Sequence, residues 1–199
     1  MMNRKHSSRL FLALLFMLNL VMGIIQDVQA SDNPTLADLS PEKVADYMHS
    51  IIEADRKIYT TYVVKRMQEL GIVLAREDWE GKNAIPLPAQ FLHLSSKLVA
   101  ESGIGIRFRL ISLWPIQRRN GPATEFERKS LEGLQSLPDI PQRGIVTTGK
   151  RKFFQAIYAD KAINTACASC HNAHPLSPKR DFQVGDLMGG VVITIPLEK

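Results

Sequence analysis

Two residue types that do redox and metal chemistry are scarce in this chain: it holds two cysteines and five histidines among 199 residues. Both cysteines and one histidine nevertheless fall within five positions, Cys167-Ala168-Ser169-Cys170-His171. This C-x-x-C-H spacing reads as covalent attachment of c-type haem. The thiols must reach vinyl groups on neighbouring pyrroles, and two intervening residues on one helical turn supply that separation. The histidine beside the second thioether is then drawn under the ring as the proximal iron ligand. Two other chemistries use the same residue types. A Cys167–Cys170 disulfide suits an oxidising compartment, but it gives His171 no role and lacks a thioredoxin-like βαβ context. A zinc site would draw on Cys167, Cys170, His171 and His174. Adjacent Cys170 and His171 are awkward tetrahedral partners, and the spacings match no zinc pattern. One motif implies one haem c with one iron.

The sixth iron position separates the functions open to such a site. A histidine there gives a lower potential, a methionine a higher one, and an open position takes a diatomic gas. Candidates are His93, Met48, His49, Met67 and His174. Met48 falls on the apolar face of its helix, where a core role competes. His49 and Met67 lie at that face's edge, and His174 is too close in sequence to His171 to cross the ring. His93 is the expected distal ligand, with an open site as the alternative. Arg107 and Arg109 alternate along a predicted strand as candidate partners for haem propionates, against the plainer reading of a solvated strand face. Lys150-Arg151-Lys152 reads as a solvated turn or a docking patch for an acidic redox partner.

The motif needs a scaffold, and the chain supplies one after an export segment. Arg4, Lys5 and Arg9 precede an apolar run from Leu10 to Ile25, and Val28-Gln29-Ala30 forms a small-residue cleavage site. Residues 1–30 therefore read as a signal peptide cut before Ser31 rather than a retained anchor. Cleavage removes three basic residues and one acidic one, lowering the net charge from +5 to about +3. Residues 31–199 form a single haem-binding domain with no second apolar span, so a soluble, periplasmic product without stable membrane insertion is expected. No nucleic-acid motif accompanies the basic balance.

Ser40-Pro41-Glu42 is a helix start, and apolar residues from Val44 to Leu70 recur at three- and four-residue steps, predicting one long helix ended by Gly71. Residues 72–88 lack a period and read as a loop. A second helix runs from Pro88 to Ser102 with Phe91, Leu94, Leu98 and Val99 inward. Ile104 to Leu110 alternates as a half-buried strand ending near Trp114, Arg118 to Pro122 turns, and Thr124 to Leu137 is helical with Phe126, Leu131 and Leu134 inward. A hairpin turns at Thr148-Gly149-Lys150, and Val191 to Ile195 is β-branched enough to be a central strand. The order of elements predicts an α+β domain, an antiparallel sheet with helices packed on it.

Four stretches in order make the mature chain resemble a family of c-type-haem-binding, PAS-like periplasmic sensor domains, formerly a domain of unknown function. They are Pro86-Leu-Pro-Ala-Gln-Phe91, the Arg109-Leu-Ile-Ser-Leu113 run before Arg119-Asn-Gly-Pro122, the haem motif, and Phe182-Gln-Val-Gly-Asp-Leu-Met-Gly-Gly-Val-Val-Ile193. The resemblance spans about Ala84 to Pro196. It implies a PAS-like antiparallel sheet flanked by the long N-terminal helix, one covalently bound haem, and a redox or small-ligand sensing role. Some members of that family supply a cysteine as second iron ligand just ahead of the second helix. Here that stretch is Ile85-Pro-Leu-Pro88, and with no third cysteine thiolate ligation is excluded.

The expected function is a stand-alone monohaem cytochrome in electron transfer or redox sensing, with a redox partner protein. The alternative is a protein that binds or senses NO, CO or O2. No acid–base pair supports an enzyme. The long first helix offers a surface for a homodimer, though an intramolecular role fits equally.

Overall fold

A computed structural model describes residues 39–197. The predicted signal segment, residues 1–30, lies outside the described residues. No helix among the described residues is long and apolar enough to cross a membrane.

The long helix forms, with an interruption in kind rather than in course. Helix α1 (Pro41–Ile58) starts under the Ser40 hydroxyl, which accepts from the Lys43 backbone N–H at 3.3 Å. It continues through a π-helical segment, Tyr59–Lys65, into α2 (Arg66–Glu69). Gly71, at φ 66°, stops it in the left-handed region that favours glycine. The π segment has a packing cause. Ala45 and Ile52 face the sheet from α1, and Thr60 and Val64 carry that face onward. At 3.6 residues per turn, Val64 would sit about 100° around the helix from Ala45. Wider turns remove that drift. The Thr60 hydroxyl donates to the Arg56 carbonyl at 2.7 Å, one bond that stays inside the helix.

The stretch expected to be a loop holds two short strands instead. β1 (Leu74–Arg76) and β2 (Ala84–Pro86) pair in parallel. Three-residue strands are too short to show an alternating pattern. Helix α3 (Pro88–Glu101) buries Leu92, while Leu98 is 68% exposed. Val99 packs on the core as expected and Phe91 stacks on Tyr59, but Leu92 takes the buried position in place of Leu94 and Leu98.

Strands β3 (Arg107–Ile111), β4 (Gln142–Thr148), β5 (Arg151–Lys161) and β6 (Leu187–Pro196) form one antiparallel sheet in the order β3-β6-β5-β4. β6 is interior, as its β-branched run predicted, and is buried almost throughout. The β4–β5 hairpin turns at Gly149, φ 61°. Helices α1 and α3 cover one face, over Phe108, Ala156, Tyr158 and Ile193. Helix α4 (Glu125–Ser136) covers the other, placing Leu131 and Leu134 on Ile157 and Val192. The fold is α+β. Helix α5 (Thr165–Ala173) is inserted between β5 and β6, so it hangs from the end of the two central strands.

Candidate functional site

All three motif residues lie on α5, a nine-residue helix held at both ends by asparagine side chains. At its start Asn164 Oδ1 accepts from the Cys167 backbone N–H at 3.2 Å. Near its end Asn172 acts as a piece of β-ladder: its Nδ2 donates to the Phe182 carbonyl and its Oδ1 accepts from the Phe182 N–H, both at 2.9 Å. The two caps fix the helix before any cofactor is considered. Cys167 and Cys170 are free thiols, one half-buried and one exposed, three residues apart on a 3.6-residue turn.

The inner face of α5, Ala168 with Cys167, packs on a small apolar platform of Ala162, Phe182 and Met188 with Trp114 against it. The His171 ring meets Phe182 edge-on at 5.9 Å, and Phe182 meets Trp114 edge-on at 5.8 Å. Lys179 lies over both Phe182 and Trp114, at 4.9 and 5.6 Å.

Burial pushes the His171 pKa down; the Asp160 charge opposes this, and His174 and Arg56 add to it. The imidazole is thus held neutral, the form in which it binds metals. Its Nδ1 is buried without a hydrogen-bond partner. Burial raises the Cys170 thiol, helped by the charges of Glu77 and Cys167. Glu77 also pairs with His174 Nε2 at 3.4 Å, so the segment after β1 is latched to the end of α5.

The remaining sequence candidates are dispersed. His93 is exposed on α3, and no hydrogen bond, ring contact or apolar cluster joins it to the motif. Met48 packs on the core. His49 is stacked on Tyr158 with ring centroids 4.0 Å apart. Met67 is half-buried on α2. Arg109 donates to Glu127, a buried carboxylate on α4, at 2.5 Å. Arg107 is exposed and lies over the Phe153 ring at 5.6 Å, at the start of β5, whereas α5 follows its end. Among the described residues no group of three or more His, Cys, Asp or Glu side chains converges as a cage for a bare ion.

Several contributors to the site escaped the sequence reading. Asn172 and Phe182 are ten residues apart with no pattern linking them. Arg56 on α1 pairs with buried Asp160 on β5 across 104 residues. Only Asn164 carried a local signal, an N-capping residue ahead of a helix.

Fold and site together define an α+β domain that presents a C-x-x-C-H helix at the end of an antiparallel sheet. A sequence model of the Tll0287-like family matches residues 29–196, and the chain belongs to that family. Among solved structures it is similar to the crystal structure of the cyanobacterial haem protein Tll0287, at 17% identity and a TM-score of 0.49, covering 81% of this chain and 99% of that one. No curated protein matches it.

Proposed function

We propose that this protein is an exported monohaem c-type cytochrome of the PAS-like sensor type, acting in electron transfer or redox sensing in the periplasm. The observation that carries the reading is the motif helix itself: two free thiols and a neutral imidazole on one doubly capped turn, in a member of the Tll0287-like family. These residues fit the group. Cys167 and Cys170 would hold the ring by thioether bonds, and His171 would bind the iron. The buried, unpartnered Nδ1 and the Phe182 edge set the imidazole apart from solvent. When bound, the haem supplies a one-electron couple whose potential follows from its axial ligands and burial. The chain's own part is to fix the ring's attachment, keep His171 neutral and shield it with Phe182 and Trp114. What supports the PAS-like description is one antiparallel sheet whose first strand in the chain, β3, pairs with its last, β6, under a long N-terminal helix.

The alternative, binding of NO, CO or O2 at an open sixth position, is favoured by where the distal candidates went. Met48 and His49 are engaged elsewhere and His93 faces solvent.

Mass spectrometry of the protein matured in an export-competent host that attaches haem tests the main reading. The expected product starts at Ser31 and carries one haem on the Thr165–His174 peptide. A peptide of unmodified mass ends the proposal. Spectra of the reduced protein with and without CO then choose between the roles: an unchanged low-spin spectrum supports electron transfer, and a CO-shifted one supports gas binding.

A further inference from the structure

Helix α4 has 12 residues and strand β5, which it helps to cover, has 11. At about 1.5 Å per helical residue and 3.4 Å per strand residue, α4 is roughly half as long as β5. It lies over Ile157 and Val192, and its first turn ends at Gly144, where Phe126 packs level with Gln155. The beginning of β5 therefore extends beyond it on that face. Arg151, Phe153, Gln155 and Ile157 share the face by the two-residue period of a strand. Arg107 joins them, being level with Thr194 and Gln155. Phe153 is 5% exposed, yet it belongs to none of the apolar clusters under the helices. Two guanidiniums cover it instead, Arg107 at 5.6 Å and Arg151 at 5.5 Å from the ring centroid.

Two like charges drawn to one ring repel each other unless an anion lies against them. Among the described residues neither arginine has an ion-pair partner, nor have Lys150 and Lys152 beside them. All four cations are exposed. Glu101, the acid nearest to Arg107 in the chain, pairs with Lys97 at 3.9 Å. An apolar side chain stands at the rim. Gly105, at φ 83°, lies against Pro196, which is level with Phe153, and the preceding Ile104 is 61% exposed. This end of the sheet thus presents one sign of charge beside an uncovered isoleucine. Attraction to anionic headgroups together with shallow apolar burial is how a protein rests on a lipid surface. Guanidinium forks also match phosphate oxygens.

We propose that the hairpin end of the sheet, with Arg107, Arg151, Lys150 and Lys152 around Phe153 and Ile104 at its rim, docks reversibly on an anionic phospholipid surface. The motif helix follows Lys161, ten residues and about 34 Å along β5 from Arg151. A chain docked in this way holds α5 away from the membrane, open to partners in solution.

The test is co-sedimentation of the mature protein with vesicles of phosphatidylglycerol and phosphatidylcholine in equal parts, and with phosphatidylcholine alone. Two double variants remove the same charge from opposite ends of the molecule. Arg107→Gln with Arg151→Gln strips the patch. Arg118→Gln with Arg119→Gln is the control, at the turn whose Asn120 carbonyl accepts from the Ser112 N–H beyond the far end of β3. The wild type should bind the anionic vesicles only, and less as salt rises. Each cation at the surface contributes about fivefold, so the patch variant should bind about thirtyfold more weakly while the control stays near the wild type. In Ile104→Trp, the added emission should shift to the blue on anionic vesicles. Equal losses in the two double variants would mean that net charge alone attracts the protein, and the docking site is then overturned. A wild type that stays in solution with anionic vesicles overturns it as well. Retention on polyglutamate without vesicle binding, lost in the patch variant, would replace the membrane by an acidic protein. Patch and motif lie at opposite ends of β5, so a chain that fails to carry haem would remove the proposed function and leave the vesicle result readable.

Discussion

At the scale of single residues, the chemistry-bearing ones were legible because their types are rare and their spacing is strict. Cys167, Cys170 and His171 need no tertiary information to be seen together. Arg109 shows the opposite case. Its alternation with Arg107 suggested a shared outward face, yet its side chain turns to Glu127, which is 3% exposed. Glu127 also accepts from the Ala123 N–H at 2.6 Å, and among the described residues Arg109 is the one cation paired with this buried acid at the start of α4. Replacing Arg109 by Leu should cost stability near the low end of the roughly 3–5 kcal/mol seen when a buried pair loses one partner, since the arginine is itself a third exposed. Chemical denaturation measures it, and a variant as stable as the wild type would show the pair to be idle. His49 gives a pH-dependent case. Burial lowers its pKa against the raising effect of Glu53, Asp46 and Asp160, so the folded chain holds it neutral. The unfolded chain takes up a proton near pH 6.5. Its contribution is therefore present above that pH and lost as pH falls through the lower folded value. His49→Phe, which keeps the stack on Tyr158, should lose less stability than the wild type between about pH 7 and 5. Parallel pH–stability curves would rule burial of this imidazole out as a source of acid sensitivity.

Elements were legible where a period had room to repeat. The long helix and α4 came through because seven or more residues repeated one face, the hairpin through its turn at Gly149, and β6 through its β-branched run from Val191 to Ile195. The strands β1 and β2 did not, being three residues each. Neither did the π-helical segment, because its cause is the phase of Thr60 and Val64 against a sheet built from residues about a hundred positions later. The Gly189-Gly190 pair is a further example. Both sit in β6 at the end that carries α5. A Cβ on Gly189 would run into the Ile111 carbonyl of the neighbouring strand, a backbone atom that cannot rotate away. Gly189→Ala should therefore separate β3 from β6 locally and cost about 3 kcal/mol or more. Its neighbour Met188 lies in the platform under α5, so the damage should reach the motif helix. Hydrogen exchange of β3 and α5 amides would show it, and unchanged protection would mean the strands can part without cost.

The molecule as a whole buries one side of its long helix and leaves the other uncovered. Tyr47, Ile51, Ile58 and Tyr62 are 52, 63, 55 and 67% exposed along α1 and the π segment. The order Tyr, Ile, Ile, Tyr, with a four-residue step at each end, reads the same in both directions. Under a two-fold axis between Ala54 and Asp55, Tyr47 would face the partner's Tyr62 and Ile51 the partner's Ile58. A two-fold interface requires this kind of self-matching, in which a residue and its contact exchange roles. The helix from Pro41 to Glu69 is about 43 Å long, enough for all four contacts. A second copy, in the antiparallel sense, is the partner to test against this face. Sedimentation equilibrium should find a dimer whose dissociation constant rises at least tenfold in Ile51→Lys, since a lysine there must be buried against a partner's isoleucine. Orientation is read separately. A mixture of Tyr47→Cys and Tyr62→Cys chains should cross-link as a mixed pair under oxidation, whereas a parallel dimer would link Tyr47→Cys to itself. A chain that sediments as a monomer at every concentration tested would leave the stripe without a partner of its own kind.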